Sequence, residues 1–294
     1  MNFDTSDLNW AIFFCGTKRL ANMITKQHDT YFGDEAMIID WIFYHDAMYK
    51  FSIRHWRKRN QDQIHLAGQN KVLSKAVFSP ERQTVSIAPD EGGELLLIQV
   101  IKIVPILGCS LELLDLLCQV VDNVYEPGHP NHLSESHLKT VRSLEIRLKH
   151  LEQRQAAVLP SDTMQVTQET QIAELFRLAA IIYLLRMAKG ESETSKCLVS
   201  AMDQALHILS EIEYCDRPWP LFIIGLESRT EEQRSRMAQV LESSVKRRPL
   251  GSMTLVKRMV PDAWTQQDLR ELPMEPFTLY DMIIGRNRVT PCFT

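Results

Sequence analysis

His45 and Asp46 are adjacent, with His28 upstream and Asp115 and Asp122 downstream. Imidazole and carboxylate donors in this order are the ligand set of a metal-dependent phosphohydrolase, whose metal would activate water for attack on a phosphate ester. Against that stands the setting of His45 among Ile38, Ile42, Tyr49 and Trp56, on the covered side of an amphipathic segment. A hydrogen-bonded core histidine is the ordinary occupant of such a place. The site expectation is therefore no catalytic residue and no metal, with His28, His45 and Asp46 as the alternative metal set. His129, His132 and His137 gather around a Pro-Gly turn, and Glu126 with His129 has the Glu-x-x-His spacing of di-iron helices. Pro127 and Gly128 between them prevent a shared helical face, so these are read as exposed loop residues.

Two basic groups could contact phosphate or serve as nuclear localisation signals: Arg54-His55-Trp56-Arg57-Lys58-Arg59 and Lys246-Arg247-Arg248. Each also falls at the end of a helical pattern, where cations complement the helix dipole, and this reading is preferred. The net charge of -4, from 33 basic and 37 acidic residues, provides no bulk attraction to a polyanion. Zinc clusters need thiolates a few residues apart, whereas the six cysteines are scattered, with Cys109 and Cys118 the nearest pair. Buried, reduced thiols are expected. No nucleophile elbow, phosphate-binding glycine loop, dinucleotide fingerprint or zinc-protease motif occurs.

The elements that position these residues are helices. Segment 107–125 repeats apolar residues at three and four positions (Leu107, Leu111, Leu114, Cys118, Val121, Tyr125), with Glu112, Asp115, Gln119 and Asp122 opposite. Segment 36–56 carries Met37, Trp41, Tyr44, Met48, Phe51 and His55 on one seam and only a narrow polar strip of Asp40, Asp46, Lys50 and Arg54, as befits a central helix. Residues 60–93 read as a long connection, with Thr84–Ala88 a possible short strand. A helix from Ser134 to about Gln155 has a narrow stripe suited to surface docking. Segment 166–189 is apolar on most sides and ends at Gly190; segment 194–213 is amphipathic. Pro218 and Pro220 set a turn before a short apolar stretch, and Thr230 with Gln233 forms a capping box, with Lys246–Arg248 at the far end.

The fold expectation is all-α: a multi-helix orthogonal or bundle-like array with long connecting loops. The longest apolar run, Leu95–Leu107, is broken by Gln99, Lys102 and Pro105 and is shorter than the ~18 residues of a membrane span. No export signal is visible, and an intracellular, non-membrane chain is expected.

Several ordered blocks carry a resemblance. They are the Trp-x-x-x-His-Asp region from Trp41 ending in Ser52 and Arg54-His55-Trp56; Gly108-Cys109-Ser110 followed by Glu112-Leu113-Leu114-Asp115; Arg177 with Ile182-Tyr183-Leu184; Pro218-Trp219-Pro220-Leu221-Phe222 with Gly225, Glu227 and Arg234; and Trp264 with Asp268. In this order they resemble the fungal-specific transcription factor domain, the regulatory region that normally follows a zinc binuclear-cluster DNA-binding module. The resemblance covers most of Asp34 to Asp268. It implies a nuclear, largely helical, non-enzymatic regulator of RNA polymerase II transcription, with transcriptional coactivators or a related full-length factor as partners and homo- or heterodimerisation possible. The family's cysteine-rich module is missing before residue 34, so no zinc cofactor is expected and direct DNA binding is doubtful.

The domain expectation is an N-terminal extension at 1–33, the regulatory domain at 34–268, and a C-terminal tail at 269–294 packing on it. An effector pocket, if present, is expected at the apolar junction of segments 36–56, 107–125 and 166–189. An apolar-ligand-binding helical protein without a transcriptional role is the further alternative.

Overall fold

Local sequence signals fix several of the helix ends. The structure, a computed structural model, describes residues 16–19, 21, 33–56, 101–154, 163–269, 275–288 and 290–294. The expected connection at 60–93, the strand at Thr84–Ala88, His28 and Arg57–Arg59 lie outside the described residues. The helices are α1 (Gly33–Trp56), α2 (Leu111–Asp122), α3 (Glu135–Lys149), α4 (Thr163–Tyr183), α5 (Lys196–Glu211), α6 (Pro218–Glu227), α7 (Glu231–Arg247), α8 (Gly251–Asp268) and α9 (Pro276–Gly285). The protein is all-α apart from two short parallel strands among the described residues, β1 (Ile101–Lys102) and β2 (Gln153–Arg154).

α2 begins later than its apolar pattern suggests. Leu107 and Cys109 lie in a turn closed by Val104–Cys109 pairing, and Ser110 is the N-cap, its hydroxyl accepting from Leu113 N at 3.2 Å. Gly108 has φ +73, and a Cβ there would meet Arg217 Nε at 2.5 Å, so any other residue would strain the backbone and displace the Arg217 side chain. The Gln153 side chain ties this turn to α4, accepting from Ser110 N at 2.8 Å and donating to Ala173 O at 2.7 Å.

Ser134 caps α3, and the Thr230–Gln233 capping box opens α7. The Pro218–Glu227 stretch, read as a turn before a short apolar stretch, is a helix throughout. Pro218 and Pro220 occupy its first turn, where a missing N–H costs nothing, and every residue in it is buried. α4 passes into a π turn at Leu184–Ala188, all of it buried, before Gly190 adopts φ +69.

α1 packs on α2 and α9, α4 lies on α5 and α6, and α6 crosses α8. Gly225 permits that last crossing, since a Cβ there would stand 2.8 Å from both Val260 methyl groups. The core is aromatic at its centre. Phe51 makes edge contacts with Tyr183, Trp219, Phe222 and Phe293, drawing three separate parts of the chain onto one ring. Helices α8 and α9 were not anticipated from the sequence pattern; Pro261 lies inside α8.

The α1 faces differ from the expected pattern. Met37 and Ile38 are exposed, while Asp40 and Asp46, read as part of a solvent-facing strip, are 5% and 2% exposed. Lys18, itself buried, supplies an ion pair to Asp46 and so makes that burial tolerable.

Candidate functional site

Consecutive residues on a helix point about 100° apart, and His45 and Asp46 accordingly part company. The His45 ring lies 3.9 Å from that of Trp41, and burial lowers its pKa to about 4. Asp46 faces Lys18. Asp122 instead accepts from Lys50 at 2.5 Å, and Asp115 from Gln119 at 2.7 Å. Among the described residues, no group of three or more His, Cys, Asp or Glu could hold a metal ion. His28, the remaining member of the alternative set, lies outside them.

The histidines after α2 need a correction. His137 is not an exposed loop residue: it sits in the first turn of α3, 4% exposed. Its Nε2 donates to Asn123 O at 2.8 Å, and its Nδ1 accepts from Leu133 N at 3.2 Å. His132 Nδ1 donates to Tyr125 O at 2.9 Å, and His129 stacks on Tyr125 at 4.7 Å. The ring nitrogens of His132 and His137 thus fasten a turn whose carbonyls have no helical partners.

The basic groups divide similarly. Arg54 lies in the last turn of α1, as expected, and also reaches across to donate to Val124 O at 2.5 Å, beyond the end of α2. His55 is 1% exposed. Arg247 lies over the Tyr214 ring at 5.2 Å, and Arg248 pairs with Asp216 at 2.9 Å.

Sequence reasoning missed the buried polar chain through the core. His55 Nδ1 stands 2.8 Å from Asp281 and its Nε2 2.8 Å from the Tyr183 hydroxyl. With Nδ1–H donating to the carboxylate, neutral Nε2 accepts the phenol proton. Burial lowers the His55 pKa against the opposing pull of Asp281, and burial raises that of Tyr183. Beyond Tyr280, whose ring lies 5.9 Å from that of Tyr183, Glu227 receives Arg186 Nε at 3.0 Å, the Tyr280 hydroxyl at 3.4 Å and Arg229 at 3.5 Å. His55 and Tyr183 are buried, with 1% and 0% exposure, so this Asp–His–Tyr chain lies within the core.

The dispersed motif residues converge on one another. Arg234 forks onto Asp268 at 2.7 and 2.9 Å and lies 5.6 Å over the Trp264 ring, while Trp264 Nε1 donates to Gly225 O at 2.8 Å. The Arg234 hydrogen bonds hold Asp268 below the usual carboxylate range. Arg177 donates to Leu148 O at 3.0 Å and Lys149 O at 3.3 Å, closing the end of α3. These residues fasten helix to helix.

A zinc cluster does not fit the described cysteines. Cys109, Cys118 and Cys215 are buried, burial raises each thiol to about 12, and among the described residues no three His, Cys, Asp or Glu side chains gather where a metal ion could be held. No described helix is long and apolar enough to cross a membrane.

The fold and this arrangement define an all-α scaffold whose distinctive residues serve helix–helix contacts. The family model described as "Fungal specific transcription factor domain" matches residues 2–287, and the chain belongs to that family. A curated relative, "Transcription factor iacI" of Pestalotiopsis fici, is 21% identical over 287 residues, covering 97% of this chain and 66% of that protein. The chain therefore spans just under two thirds of that relative's length. No solved structure gives a significant match.

Proposed function

We propose that this domain acts in the nucleus as a transcription-regulatory platform, contacting coactivators or a related full-length factor and performing no catalysis of its own. The observation that carries this reading is the family match over residues 2–287. Its physical support is the use made of the motif residues: Arg177, Gly225, Arg234, Trp264 and Asp268 serve internal contacts, so recognition falls to the surface. The net charge of -4 argues against a sequence-independent hold on DNA, so this reading places DNA targeting in a partner or in another part of the protein. Sensing of a small effector would add a ligand input to the same platform.

The test is to tether the chain to a heterologous DNA-binding domain in a fungal host, with a reporter downstream and the chain's location followed by fluorescence. A change in RNA polymerase II reporter output with nuclear accumulation is expected. Unchanged output from a stable nuclear fusion would overturn the reading.

A further inference from the structure

A groove of about 590 Å³ opens between the C-terminal half of α1 and the turn after α2, lined in part by Lys50, Arg54, Asp122, Tyr125, Glu126 and His129. It lies at the outer edge of the α1–α2 contact, away from the three-helix junction, where Phe51, Leu113 and Tyr183 are all buried. Its volume suits a small organic molecule.

The groove's rim is held from several sides. Arg54, His132 and His137 bond the carbonyls of Val124, Tyr125 and Asn123 at 2.5, 2.9 and 2.8 Å, so three successive residues of the turn are fixed before any ligand arrives. The charged pair at its mouth is asymmetric: the Lys50 side chain is 18% exposed, whereas that of Asp122 is 59% exposed. The ammonium belongs to the wall, while the carboxylate that satisfies it faces water and can swing away. Beside it, the Tyr125 and His129 rings stack at 4.7 Å and 14°, with His129 exposed.

We propose that this groove binds a small planar monocarboxylic acid. Its carboxylate replaces that of Asp122 on the Lys50 ammonium, and its ring lies against the Tyr125–His129 stack.

Asp122 is thus an internal competitor, and this gives the proposal a test of sign. Calorimetric titration of the full chain with benzoate is expected to saturate. Benzamide, of the same shape without the charge, should bind about tenfold more weakly, and Lys50→Gln should lose benzoate binding to a similar degree. Asp122→Asn should tighten benzoate binding by about two- to fivefold, since the exposed ion pair no longer has to be broken. Asp122 is exposed, so this variant leaves the core intact, and a thermal melt of each variant confirms the fold. Equal affinity for benzamide, unchanged or weaker binding in Asp122→Asn, or no saturation with benzoate would each overturn the proposal. The regulatory function proposed above is read from a reporter and stands or falls separately.

Discussion

Removal of Glu227 should be among the most damaging single changes in the chain, and removal of its partner as well should restore much of the loss. The Arg186 and Glu227 side chains are 5% and 2% exposed and bond at 3.0 Å. In Glu227→Leu, Arg186 keeps only the Glu191 carbonyl, 2.5 Å from its Nη1, and the Tyr280 hydroxyl loses its acceptor. Arg229 is less affected, because it also pairs with Glu193 at 3.3 Å and is 31% exposed. Breaking a buried pair from one side costs ~3–5 kcal/mol, since the remaining charge stays desolvated. At roughly 2 °C per kcal/mol for a chain of this size, the melting temperature should fall by about 6–10 °C. Adding Arg186→Met removes the stranded charge and should recover at least half of that loss. Thermal unfolding of parent, both singles and the double variant completes the cycle. A Glu227→Leu protein within about 1 kcal/mol of the parent, or a double variant no more stable than the single, would refute the reasoning.

Gly108→Ala should destabilise by ~1–3 kcal/mol in urea unfolding, from the left-handed backbone and the displacement of Arg217; in an Arg217→Ala background only the backbone part should remain. Thr230→Ala should cost ~1 kcal/mol by opening the capping box, and Thr230→Ser much less, as read by the same denaturation curves. Histidine burial sets a pH dependence. With the folded pKa of His45 lowered from 6.5 to about 4 and that of His55 also lowered, the unfolded chain binds protons first, so stability is full above about pH 6.5 and declines as pH falls toward 4. Urea midpoints between pH 7.5 and 5 should show this decline, and His45→Phe, which keeps a ring against Trp41, should flatten it.

The helix starts at Ser134 and Thr230 and the glycine after the π turn involve residues within a few positions of one another, so their signals were legible in the sequence, whereas the Ser110 cap was passed over because the apolar repeat runs on back to Leu107. The burial of Asp46, read as part of the narrow polar strip, was not foreseen because periodicity ranks residues by polarity and cannot register a buried cation such as Lys18 arriving from elsewhere. His137 was misread for the same reason: its acceptor, Asn123 O, belongs to the preceding turn. The blocks of the family resemblance were visible as an ordered series, but their contacts were not.

The sequence by itself therefore determined the all-α class, most helix positions and the family, because these rest on short-range periodicity, end signals and the order of motifs. Tertiary structure alone decided what the charged and aromatic residues do. It joined His55 to Asp281, Arg186 to Glu227 and Arg234 to Asp268, and it opened the groove beside Lys50. The physical reason is that a buried charge is stable only with a partner, and the chain distance to that partner leaves no local trace.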